Sequence, residues 1–120
     1  FAAIVACASI AFWFARRRAM RRRAIERVFD DAIARADTPT AQVAAISELL
    51  RRAARRNDPD ADRFEGDRWR AHLDAGAKHA LFDGDAGALL LDGAFRRDVD
   101  ANVVADLRTR ARKRYLEWMR

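Results

Sequence analysis

Asp58, Asp60 and Asp62 have the spacing of the first three ligands of a calcium-binding loop. Such a loop next needs glycine at its sixth position and a bidentate glutamate at its twelfth. Arg63 and Trp69 stand there instead. Asp83 and Asp85, separated by Gly84, fail in the same way, because Ala94 holds the twelfth position. These aspartates read more simply as helix caps and turn residues. His72 and His79 are the only histidines, and no further ligand lies at zinc-site spacing from them. His72 is expected on a helix surface and His79 in a loop. The two serines, Ser9 and Ser47, sit in helical patterns, and there is neither a glycine-rich phosphate loop nor a nucleophile elbow. The residues therefore predict a non-enzymatic protein with no catalytic residue, no metal and no cofactor.

The elements that carry these residues begin with an abrupt join. Residues 1–15 contain no charged side chain and one polar one, Ser9, whereas residues 16–23 hold six arginines: Arg16, Arg17, Arg18, Arg21, Arg22 and Arg23. An apolar run that stops at dense arginine matches a membrane helix leaving the bilayer on its cytoplasmic side. Phe12, Trp13 and Phe14 precede the arginines, and aromatic rings favour the headgroup level. Fifteen residues rise only about 22 Å, less than the roughly 30 Å of hydrocarbon. The chain begins at Phe1, already inside the run, which predicts that residues 1–15 are the C-terminal part of a longer, truncated transmembrane helix. A signal peptide would carry its positive charge before the apolar region, not after it. The competing reading, a soluble regulatory protein, requires residues 1–15 to be a core helix.

Charge supports the same division. The chain carries 24 Lys+Arg against 18 Asp+Glu; six of the former lie in residues 16–23, so residues 24–120 hold 18 of each and are formally neutral. The basic excess thus sits at the membrane exit, facing anionic lipid, rather than on the domain, where a nucleic-acid binder normally needs it. Cys7, inside the apolar run, is the only cysteine, so no intrachain disulfide forms. Alanine, arginine and aspartate dominate while lysine occurs only at Lys78 and Lys113, a usage that suggests a GC-rich bacterial genome.

No glycine or proline interrupts residues 1–38, and Ile25, Val28, Phe29, Ala32, Ile33 and Ala36 continue a helical stripe. A single rod is expected, its distal half packed on a domain comprising residues 24–120. Thr38 and Pro39 suit the cap and first position of a second helix striped by Val43, Ile46, Leu49, Leu50 and Ala53. A polar connection from Asn57 to Gly66 leads to a short helix in which Trp69 and Leu73 share a face, ended by Gly76. Another short helix is expected near Ala88 to Leu91, capped near Asp85. A last helix starts near Asp98 or Asp100, with Val104, Leu107, Ala111 and Trp118 as its stripe, widened by Val103, Tyr115 and Leu116. No stretch alternates long enough for a strand. The fold class is all-α, one membrane helix continuing into a small cytoplasmic domain of about four further helices. Trp69, Phe82, Leu90, Phe95 and Trp118 are the bulky residues expected in its core.

The order of motifs adds a resemblance. Leu49-Leu50-Arg51-Arg52 is followed by Gly66-Asp67-Arg68-Trp69 with Leu73-Asp74. Phe82-Asp83-Gly84 with Gly87, Leu89-Leu90, Ala94-Phe95 and a basic helix with a late tryptophan then follow. This succession after an apolar span and an arginine run resembles the bacterial family called domain of unknown function 4381. The chain departs from it in having Ala94-Phe95 where Pro-Tyr is expected, and in lacking a proline-rich stub before the span. The resemblance implies a small single-span inner-membrane protein with a cytoplasmic helical domain. It also implies genes beside those for a MoxR-type AAA+ ATPase and von Willebrand factor A proteins, and so a partnership with such proteins. The membrane-interface residues are then Phe12 to Phe14 with the six arginines, and Arg108, Arg112 and Lys113 form the candidate partner face. The alternative, a membrane-tethered nucleic-acid-binding module, would use the basic residues 108–114.

Overall fold

The computed structural model describes residues 1–120, the side chain of Ala94 excepted, so that half of the Ala94-Phe95 pair lies outside the described side chains. Five α-helices form, α1 (Ala2–Ala34), α2 (Pro39–Asn57), α3 (Gly66–Asp74), α4 (Gly84–Asp92) and α5 (Ala101–Met119), with 3-10 turns at Pro59–Arg63 and Gly93–Phe95. No strand occurs among the described residues. The all-α reading and the four helices beyond the first are both present.

Helix α1 is one uninterrupted rod of 33 residues, about 50 Å long at 1.5 Å per residue. Only its distal part reaches the domain, burying Phe29 and Ile33, while Val28 stays exposed. That protruding rod explains the molecule's extents of 65 × 29 × 24 Å and its radius of gyration of 17.6 Å, against about 14 Å for a globular chain of this length. No helix is long and apolar enough to cross a membrane, because the apolar part of α1 gives way to arginine at residue 16.

Local signals set the remaining boundaries. Thr38 caps α2, its Oγ1 accepting from the Ala41 amide at 3.1 Å, with Pro39 in the first turn. Arg55 and Arg56 occupy the last turn, where cations favour the helix dipole. Asp100 caps α5 by accepting from the Asn102 amide at 2.8 Å. The cap position of α4 is Asp83 rather than Asp85, because Gly84, at φ 62°, turns the chain in before the aspartate that follows.

The core sits where α2 crosses α5, with α4 against α5 and the distal end of α1 laid across both. Val43, Ile46, Leu49, Leu50 and Ala53 of α2 face Val104, Leu107, Ala111 and Tyr115 of α5, all buried. The Phe29 ring meets Tyr115 at 5.4 Å between centroids and fastens α1 to the domain. Trp69, Leu73, Phe82, Leu89 and Leu90 close the other side. Trp118, expected in the core, is only partly buried against it, and Phe95 and Phe64 also depart from expectation. Phe95 is 91% exposed, because its 3-10 turn points the ring outward, and Phe64 is buried from within a connection that composition marks as polar.

Candidate functional site

Every residue from Phe1 to Ala24 is exposed, which overturns the core-helix reading of residues 1–15 within this chain: nothing in the domain covers them. Ile4, Val5, Ile10, Phe12, Trp13 and Phe14 all present more than half or about half of their surface. Soluble surfaces rarely carry contiguous apolar area on this scale without a partner. Trp13 and Phe14 meet edge-to-face at 5.0 Å, and the Arg17 guanidinium lies 5.3 Å from the Trp13 ring centre. Cys7 is exposed on the same stretch. The arginines follow within one turn, so one rod carries an apolar segment, an aromatic collar and a cationic collar in that order.

Arg108, Arg112 and Lys113 come together along one groove between α1 and α5, with a volume of about 580 Å³. Ile33 and Leu116 provide apolar lining, and Asp30 and Gln42 contribute polar groups. The three cations are not equivalent. Arg112 grips Asp30 in a fork, Nε to Oδ1 at 2.9 Å and Nη2 to Oδ2 at 3.1 Å, with Glu26 at 4.0 Å. The hydrogen bond from Arg112 holds the Asp30 carboxyl below the usual carboxylate range, outweighing the opposing effect of burial. Arg108 and Lys113 form no ion pair among the described residues and face solvent. Arg112 therefore spends its fork joining α5 to α1, and the other two remain free for a ligand.

The rest of the basic run is also engaged internally. Arg110 donates to the Leu81 carbonyl at 2.9 Å and pairs with Asp106 at 3.1 Å and Asp83 at 3.4 Å. Arg114 is buried, donating to the carbonyls of Leu73, at 2.7 Å, and Ala75, and to Glu117 at 3.0 Å. Three of the five cations in residues 108–114 are thus occupied within the fold.

The short motifs serve the same purpose. Arg51 donates to the carbonyls of Ala61, at 3.1 Å, and Phe64, at 2.6 Å, while lying 3.9 Å from the Trp69 ring centre. Its guanidinium holds the turn after α2 to α3, and desolvation lowers its pKa from the usual arginine value. Asp74 accepts from the amides of Leu81, at 2.8 Å, and Phe82, at 3.2 Å, and Arg70 donates to the Phe82 carbonyl at 2.6 Å. Gly87 is the position where the Phe82 carbonyl comes so close that no Cβ would fit. Composition and periodicity do not reveal these contacts, because each joins a side chain to a carbonyl or amide on another element.

Of the acidic candidates, Asp58 caps its own 3-10 turn by accepting from the Asp60 amide at 3.0 Å, and Asp62 pairs with Arg55 at 2.9 Å. His79 lies in an exposed loop, as expected. His72 does not stay on a free surface: it is half-buried among Phe64, Trp69 and Trp118, with ring centres 5.0, 6.0 and 5.6 Å away. No curated protein and no solved structure matches the chain. A family match does cover nearly all of it, from residue 1 to residue 118, and the chain belongs to the family described as domain of unknown function (DUF4381).

Proposed function

We propose that this protein is a non-enzymatic, membrane-anchored adaptor or assembly protein. Residues 1–15 sit in hydrocarbon as the cytoplasmic end of a single-pass anchor in a bacterial inner membrane, with Phe12 to Phe14 and Arg16 to Arg23 at the headgroups. Residues 24–120 stand on the cytoplasmic side, the side on which arginine accumulates. The observation that carries this reading is the uncovered apolar face of α1, running without interruption into six arginines. The same rod is joined to the domain through Phe29 and Ile33, both buried in its core.

The partner is a protein bearing an acidic, amphipathic segment, received by Arg108 and Lys113 above Ile33 and Leu116. By family resemblance it is a MoxR-type AAA+ ATPase or a von Willebrand factor A protein. The reading rests on two exposed cations, Arg108 and Lys113, that form no ion pair among the described residues and stand beside an apolar lining. Purification in mild detergent, with identification of co-purifying proteins, tests it. Arg108→Glu with Lys113→Glu is expected to lose the partner while leaving the chain in the membrane fraction; retention of the same partner at the same yield refutes the assigned face. A cytoplasmic reporter fused at Arg120 is expected to be active, and activity of a periplasmic reporter there refutes the topology.

A further inference from the structure

A second concavity lies where the rod leaves the domain. Its walls are Arg18, Arg21 and Arg22 of α1 and Arg120 beyond α5, and Ile25 and Leu116 give it an apolar floor. Its volume is about 660 Å³, within the range of sites that hold small molecules. It forms because α5 runs antiparallel beside α1: Tyr115 meets Phe29, Arg112 meets Glu26 and Asp30, and the end of α5 therefore arrives beside residues 18–25. Ala15 and Ala19 lie on the same α1 face, and their small side chains leave the space open.

The electrostatics are one-sided. No acidic side chain lines this notch, and none of its four arginines forms a side-chain ion pair or hydrogen bond among the described residues. The last-turn carbonyls of α5 add about half a negative charge at this end, far less than four guanidiniums supply. By contrast, Arg51, Arg70, Arg110, Arg112 and Arg114 are each used up on carbonyls or carboxylates within the fold. A cluster of four with no internal partner is an anion site by charge.

Position identifies the anion. The apolar segment ends at Ala15, and Arg18 and Arg22 follow about 4.5 and 10 Å further along the axis. The headgroup layer outside the hydrocarbon is about 5–8 Å thick, so Arg18 lies within it and Arg22 starts just beyond it, on a Cα–Cβ bond tilted back toward the helix N-terminus. We infer that this notch is a headgroup site for an anionic phospholipid: guanidiniums of Arg18, Arg21, Arg22 and Arg120 take the phosphodiester oxygens, and the acyl chains run back along the exposed apolar face of residues 1–15. Planar arginine forks match phosphate oxygens in pairs, and basic pockets at the cytoplasmic end of membrane helices suit such heads. The inference rests on the membrane reading above and adds to it a defined place for one lipid.

The helix offers its own control. At about 100° per residue, Arg16 and Arg23 point about 160° and 140° away from Arg18, whereas Arg22 lies only about 40° from it. Arg18→Gln/Arg22→Gln and Arg16→Gln/Arg23→Gln therefore remove equal charge from opposite faces. Both pairs are exposed and unbonded, so both variants should fold, with unchanged circular dichroism. Flotation of the full chain measures partition into vesicles of phosphatidylcholine alone and of phosphatidylcholine with phosphatidylglycerol. All three proteins are expected to partition equally into neutral vesicles. With phosphatidylglycerol, both variants lose the long-range attraction, and the notch pair loses at least about tenfold more, the share of direct charge-assisted hydrogen bonds. Equal weakening of the two pairs overturns the notch and leaves the membrane reading standing. Failure of the unmutated chain to float with any vesicle overturns both. Release from phosphatidylglycerol vesicles by millimolar glycerol phosphate, without release by equal chloride, overturns the lipid assignment in favour of a free phosphate ester.

Discussion

Replacing Arg114 with methionine tests whether the basic helix α5 is built for the fold or for a ligand. Arg114 is 5% exposed, and its guanidinium bridges the end of α3 to α5 through the carbonyls of Leu73, at 2.7 Å, and Ala75. A hydrogen bond from a charged donor contributes about 1.5–3 kcal/mol, so the two carbonyl bonds together account for about 3–6 kcal/mol. The Glu117 side chain is 34% exposed, and its ion pair with Arg114 adds less than about 1 kcal/mol. Methionine recovers roughly 1 kcal/mol through its own buried surface. The net loss expected is about 2–5 kcal/mol, a large part of the 5–15 kcal/mol typical of a small domain. Urea unfolding in mild detergent, followed by near-ultraviolet circular dichroism of the packed aromatic rings, measures it. Arg114→Lys should fall between the two, because one ammonium cannot reproduce the fork. The neighbouring Lys113→Met, on the exposed face, should stay within about 0.5 kcal/mol of the unmutated chain. A value for Arg114→Met equally close to the unmutated chain would refute the structural role and return Arg114 to the pool of ligand-binding cations.

Two further outcomes follow from the same contacts. Gly87→Ala ordinarily stabilises a helix by about 1 kcal/mol, but here the new Cβ collides with the Phe82 carbonyl and sits 3.1 Å from Arg70 Nε. Melting of this variant should show a loss of about 1–3 kcal/mol, and any gain in stability contradicts the close approach. Asp30 has a folded pKa held below its unfolded value by Arg112. Its stabilising contribution is therefore complete above the unfolded carboxylate pKa and lost as pH falls through the lower folded one. Both side chains are substantially exposed, at 37% for Arg112 and 53% for Asp30, so the contribution is below about 1 kcal/mol. The difference in stability between the unmutated chain and Asp30→Asn should shrink as the solution is acidified into that window; a difference independent of pH down to full protonation argues that the link is not electrostatic.

Sequence by itself determined what depends on near neighbours along the chain. The spacing of Val43, Ile46, Leu49 and Leu50 specifies a helix with one apolar stripe. Thr38-Pro39 and Asp100 specify where helices begin, because a cap acts on amides two or three residues away. The step from apolar to arginine at residue 16 is equally local, and it is visible in the letters alone. The burial of Phe64, the half-burial of His72 and the exposure of Phe95 do not follow from their surroundings in sequence, since burial depends on which element lies opposite. Only the tertiary structure decided how the arginines divide their work. Arg114 reaches a carbonyl 41 residues away and Arg112 a carboxylate 82 residues away, distances at which composition carries no information about pairing. In the sequence, residues 108–114 are a uniform basic run; in the fold, Arg110, Arg112 and Arg114 are consumed by internal partners and Arg108 and Lys113 are not. The antiparallel descent of α5 beside α1 likewise brings Arg120 to Arg18 and Arg22, and it does so because Phe29 packs on Tyr115 rather than through any pattern the chain displays in one dimension.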